Sequence, residues 1–208
     1  MKNIKERFLS VLGLSLLIAT TSLTQANELG WYGGVALGTT TVDTGVTNTT
    51  GTAVVDDTGS GFKLTVGKKI DKTISIEGFY ADFGSASLTG NNGDTFVLNN
   101  TTWVFNTNNA SIKSSATGFG ANAKFQYDFN AKSAIVGRVG VMNWNIDTTV
   151  SGSNISTSSL TKTGTDIFYG VGYKYKLNNK YAVTADYDIY NVDTEQLNMM
   201  SIGMLYNF

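Results

Sequence analysis

From Gly30 to its last residue the chain keeps alternating between two kinds of side chain, and this limits the folds open to it. Trp31, Val35 and Leu37 alternate with Tyr32, Gly34 and Ala36. Phe62, Leu64 and Val66 alternate with Lys63 and Thr65. Ile74, Ile76 and Tyr80 alternate with Ser75, Glu77 and Phe79. The pattern returns at residues 119–127, 135–142, 169–177, 181–190 and 200–208. A period of two is the signature of a β-strand with two unlike faces. The 208 residues include no proline, which fits a chain that is mostly paired strand. The pattern predicts eight strands of about nine to eleven residues, the length of a tilted membrane strand. The connections predicted at residues 39–60, 84–115 and 147–163 are long and polar. Those at residues 71–73, 128–133 and 178–180 are short, and the one at 191–196 is brief. Two short pieces in the second long connection, Thr95–Leu98 and Thr102–Phe105, read as a hairpin above the barrel, with ten strands as the alternative.

Alternation alone does not say which face meets water. A soluble barrel turns its apolar face inward, and a membrane barrel turns it outward. Residues 1–26 favour the membrane. Lys2, Lys5 and Arg7 precede an apolar run from Phe8 to Ala19, and Thr24-Gln25-Ala26 offers a small-residue cleavage site. That run is shorter than the roughly 20 residues of a spanning helix, so it reads as a secretory signal, with an uncleaved anchor as the other reading. The predicted domains are therefore a signal at residues 1–26, which is removed, and a barrel at 27–208. Aromatic residues near strand ends (Trp31, Tyr80, Phe125, Tyr127, Tyr175, Tyr181 and Phe208) suit interfacial girdles. After the signal the chain keeps 12 basic and 15 acidic residues, so no basic excess points to nucleic acid. Without a spanning helix, a membrane form must be a closed barrel. The expected fold is an all-β, eight-stranded antiparallel up-and-down transmembrane β-barrel.

Four segments carry a family resemblance. Gly30-Trp31-Tyr32-Gly33-Gly34-Val35-Ala36-Leu37-Gly38 resembles the first strand of small outer-membrane barrels of the outer-membrane protein A type. Tyr80-Ala81-Asp82-Phe83-Gly84 is similar to that family's third-strand ending, and Tyr169 to Tyr175 to its sixth strand. Ser201 to Phe208 resembles the C-terminal signal that such barrels present to the insertion machinery, with Ile202, Met204, Tyr206 and Phe208 on one face. The resemblance implies a porin-like protein of the Gram-negative outer membrane. Its implied partners are membrane lipids, lipopolysaccharide and the insertion machinery, with host surface molecules as a further candidate. Larger members carry a peptidoglycan-binding domain after the barrel, and that role is not carried over.

The inward face predicts an ion-pair network of Glu77, Lys124, Arg138, Lys174 and Asp186, because charge inside a narrow barrel is costly unless paired. One reading makes it a closed polar core, and the other a narrow path for ions. The chain has no histidine and no cysteine, which removes the usual general base and thiol chemistry. The expectation is no enzyme, no cofactor and no metal. The long connections are rich in Thr, Ser, Asn and Gly with several aspartates, and offer either solvated loop or a surface for host or ligand contact. The expected role is structural or surface-contacting, with a low-conductance pore as the alternative.

Overall fold

A computed structural model describes residues 30–193 and 195–208. The expected signal, residues 1–26, lies outside the described residues. Among the described residues twelve strands occur: β1 (Trp31–Val42), β2 (Val46–Thr47), β3 (Val54–Asp56), β4 (Thr58–Lys69), β5 (Ile74–Gly90), β6 (Thr95–Leu98), β7 (Thr101–Val104), β8 (Ala110–Asp128), β9 (Ser133–Gly152), β10 (Ile155–Lys176), β11 (Tyr181–Val192) and β12 (Glu195–Asn207). Eight of them close a ring in the order β1, β4, β5, β8, β9, β10, β11, β12, every pairing antiparallel. Val35 opposite Met204 and Leu37 opposite Ile202 close the seam between first and last strands. At its lower end the Phe208 N–H donates to the Trp31 carbonyl at 2.9 Å.

The barrel is inside out. Val35, Leu37, Val66, Ile76, Phe119, Val139, Val171 and Ile202 stand on the outer surface, Ile202 at 69% exposure. Lys63, Glu77, Lys124, Arg138, Asp186 and Asp188 are buried within. A sheet with an apolar outside and a charged inside suits lipid and not water. On β10 the outward run Tyr175, Tyr173, Val171, Tyr169, Ile167 gives way to Thr165, Thr163 and Thr161. On β8 it gives way at Thr117, and on β9 at Asn143. The apolar band on β10 is thus nine residues long. At about 3.3 Å per residue and a tilt near 40°, it stands about 20 Å tall.

The three short turns share one construction. Ile70-Asp71, Phe129-Asn130 and Leu177-Asn178 each set an Asp or Asn at the second turn position. The Asp71 carboxylate accepts from the Thr73 and Ile74 N–H groups, both at 2.7 Å. The Asn130 side-chain oxygen accepts from Lys132 and Ser133, and that of Asn178 from Lys180 and Tyr181, at 2.8–2.9 Å. Asp and Asn are favoured here because their side chains mimic a backbone turn. The preceding Ile70, Phe129 and Leu177 are exposed, and aromatic pairs such as Tyr127–Phe129 and Tyr181–Tyr206 flank the turns at this end.

At the other end the strands outrun the expected nine to eleven residues. β5, β8, β9 and β10 have 17, 19, 20 and 22 residues. Much of what reads as long polar loop is therefore paired wall: β9 and β10 stay in register through Thr149 and Ser159. Above the membrane both faces meet water, so Ser and Thr occupy both and the period disappears. The remaining loop residues form a cap. Its strands β2, β6 and β7 make a small sheet, and β3 pairs with β5. The hairpin expected near 95–105 is β6–β7. Its two-residue turn, Asn99-Asn100, takes positive φ at both positions (50° and 59°), as a tight hairpin with the right twist demands.

Gly84 sets the phase of the upper wall. Between Asp82 and Ser85, β5 has one more residue than β8. Gly84 takes φ +74°, its N–H donates to the Asp82 carboxylate at 2.8 Å, and an added Cβ would meet the Ser60 backbone. This bulge moves the buried phase of β5 from Ala81 and Phe83 to Ala86 and Leu88.

Candidate functional site

The inward side chains form two layers. The lower one is ionic. Glu77 is 3% exposed and sits at its centre. Its Oε1 accepts from the Tyr32 hydroxyl and the Lys124 ammonium, each at 2.6 Å, and its Oε2 accepts from the Asn122 amide at 2.9 Å. Arg138 Nε lies 3.5 Å from Glu77 Oε2, and Arg138 Nη1 reaches Asp186 at 2.8 Å and Asp188 at 3.6 Å. Lys63 pairs with the other Asp188 oxygen. Three carboxylates thus face three cations. The Lys124 ammonium also stands 4.1 Å from the centre of the Tyr32 ring. β10 makes room with glycine: Gly170 is opposite Asp188 and Gly172 opposite Asp186, and a Cβ on either would collide with the carboxylate. The cavity beside the network is about 20 Å³, room for about one water molecule.

Of the five charges expected here, Glu77, Lys124, Arg138 and Asp186 meet in this layer. Lys174 stands apart: its ammonium donates to the Gln126 amide oxygen at 2.5 Å, nearer the short turns. The expected set leaves out Lys63, Asp188 and Tyr32. Strand phase is the signal that finds them, since Lys63 alternates with outward Phe62 and Leu64, and Asp188 shares a face with Asp186. Ile202 and Met204 point outward, with Tyr206 and Phe208 partly covered and their rings 5.3 Å apart.

The upper layer is apolar. Phe79, Phe83, Met142, Trp144, Phe168, Tyr190, Leu197 and Met199 fill the lumen directly above the charges. Phe168 stacks on Tyr190 at 4.9 Å, Phe83 meets Tyr190 edge-on at 4.8 Å, and Phe79 meets Phe168 at 5.0 Å. Such pairs add about 0.5–1.5 kcal/mol beyond the area they bury. This layer escapes the sequence reading because charges mark an inward face, whereas rings on that face look no different from rings on the outer one.

Above the rings stands the cap. Its core is Ala53, Leu88, Phe96, Phe105 and Ala110. Asp94 ties its two loops together, accepting from the Thr52 hydroxyl at 2.6 Å and the Asn91 N–H at 2.8 Å. These bonds hold the exposed Asp94 carboxyl below its ordinary pKa. The support Asp94 gives the cap is therefore complete above the ordinary aspartate range and is lost as the pH falls below it. Trp103 and Val104 are about half exposed on the cap's outer strand.

Among the described residues no three potential metal ligands cluster, and no helix is long and apolar enough to cross a membrane. No curated protein matches the chain. Solved structures do. The N-terminal β-barrel domain of Pseudomonas aeruginosa OprF aligns over 86% of this chain and 98% of its own, at 12% identity and a TM-score of 0.53. Ail, the attachment invasion locus protein of Yersinia pestis, aligns over 86% of this chain and 99% of its own, at 15% identity and a TM-score of 0.50. At these identities the likeness is one of fold. The family model for the outer membrane protein beta-barrel domain matches residues 9–208, and with the inside-out barrel it makes this chain a member of that family and a protein of the bacterial outer membrane.

Proposed function

We infer that this is a surface-contact protein whose barrel serves as a closed membrane anchor and whose cap does the work. One observation carries the reading: the lumen holds an ionic layer and, on top of it, a packed ring layer. Eight-stranded barrels have room inside for little more than their own side chains. A pore for ions or small solutes therefore fits poorly. Catalysis fits poorly as well. The chain has no histidine, and Asp186 and Asp188 are tied up in ion pairs beneath the rings.

The cap suits a binding role. It has its own core, it rises on four elongated strands, and it presents Trp103 and Val104. An exposed aromatic on a rigid hairpin is the kind of residue that anchors a protein contact. Host surface molecules are the proposed partners on this side. Lipopolysaccharide and lipids cover the apolar band, and the insertion machinery reads the strand that carries Ile202, Met204, Tyr206 and Phe208.

The test is attachment to host cells of bacteria displaying the protein. Removing all of residues 89–111 would also cut paired wall in β5 and β8, so the informative changes stay within β6–β7. Trp103→Ala, or a two-residue linker in place of residues 95–104, is expected to lower attachment by about tenfold, with the barrel still folded. Unchanged attachment in both variants contradicts the reading.

A further inference from the structure

The barrel mouth holds a second space, separate from the charged lumen. This cavity of about 450 Å³ lies between the ring layer and the core of the cap. Phe83 and Leu197 belong to its floor, Leu88 and Phe96 to its roof, and Ile112 and Ile146 to its walls. Its volume falls in the range of sites that hold small organic molecules, about 300–1,000 Å³. Its lining is mostly apolar. Water gains few partners in such a space, and an apolar molecule gains the full benefit of leaving water. The Gly84 bulge creates part of this lining, because it turns Ala86 and Leu88 inward.

The rim limits the head group. Asp43, Asp193 and Glu195 stand there against Lys162, whose ammonium is already held by Asp193 at 2.6 Å. An anionic head would meet net negative charge. An uncharged hydroxyl finds the side chains of Ser114 and Thr148, which share the inward face with Ala86.

The wall offers a way in. β10 pairs with β11 only from Phe168 downward, although β10 continues to Ile155 beside β9. Above Phe168 the gap is spanned by the Lys162–Asp193 bridge and by the Asp193 N–H, which donates to Asp166 at 3.1 Å. Both partners of the bridge are about half exposed, and exposed ion pairs hold weakly. On β10 this gap begins just above Ile167, the top of the outward apolar band, and so at the height of the lipid head groups.

We propose that the cavity is a binding site for an uncharged amphiphile with a single alkyl chain, admitted between β10 and the upper end of β11. The ring layer makes it a pocket with a floor and not a passage. The site does not depend on the contact role of Trp103, which lies on the outside of the cap.

The experiment places the protein in phosphatidylcholine nanodiscs and adds a photoreactive long-chain alcohol. Crosslinked residues are then mapped by mass spectrometry. Labelling is expected at Leu88, Leu98, Ile112 and Ile146. Two variants probe it from opposite sides: Leu98→Asp puts a charge in the roof, and Ala116→Phe fills the wall. Each is expected to lower labelling by about tenfold, with a change in gel mobility on boiling in detergent showing that the barrel remains folded. Undiminished labelling in the folded variants, or labelling confined to outward residues such as Phe119 and Ile202, overturns the site. A carboxylate of the same chain length is expected to label about tenfold less than the alcohol. Equal labelling would overturn the preference for an uncharged head.

Discussion

The two layers of the lumen fill the same tube by opposite means. The lower layer is three carboxylates and three cations joined by ion pairs, with Glu77, Arg138 and Asp188 each holding more than one partner. The upper layer is rings and methionines packed against one another, with the Trp144 N–H donating to Asp166 at 2.8 Å and the Tyr190 hydroxyl to Asp188 at 3.5 Å. Ionic packing in a dry tube stabilises only while it is complete, because a charge left alone there has neither water nor counter-ion. Apolar packing degrades in proportion to the volume removed. The two layers should therefore respond differently to damage.

The largest effect belongs to Glu77, which serves Tyr32, Lys124, Asn122 and Arg138. Glu77→Leu is expected to cost about 3–5 kcal/mol, read from urea unfolding in lipid vesicles. Lys124→Leu made with it removes a stranded cation, so the double variant should cost less than the sum of the singles by about 1–3 kcal/mol. Additive costs would mean that the lower layer behaves like the upper one.

Phe168→Ala comes next. It removes the ring that touches both Phe79 and Tyr190, and is expected to cost about 3 kcal/mol. It should show no coupling to the Glu77 change, although the two sites are stacked. Coupling as strong as that within the ionic layer would join the two layers into one.

The smallest effect is at Lys174. Among the described residues its ammonium meets an amide oxygen and no carboxylate at close range, so Lys174→Gln should cost about 1 kcal/mol or less. A loss comparable to that of Glu77→Leu would place it inside the network after all.

Within the membrane the sequence is readable because two different media enforce the period. Lipid demands Val139 and Val141 on one side of β9, and the lumen takes Arg138 and Met142 on the other. Outside the membrane that contrast ends. Residues 147–163 read as loop although they form the tall β9–β10 wall, because water on both sides lets Thr and Ser stand anywhere. Charges inside the barrel could be listed from strand phase, and the same phase holds Lys63 and Asp188. Their partners could not be listed, because the contacts join strands far apart in sequence, such as Lys63 with Asp188. The ring layer was hidden by ambiguity: Phe79 and Phe168 share their chemistry with the lipid-facing Phe119 and Phe125. The mouth cavity was hidden by the Gly84 bulge, since an unbroken period would have turned Leu88 outward.

The closed lumen is tested most directly by single-channel current across a planar lipid bilayer containing the folded protein. No current steps are expected from the native protein at physiological salt. Steady, reproducible steps from the native protein, sensitive to neutralisation of Glu77 or Arg138, would contradict a closed lumen and make the charged layer a path for ions.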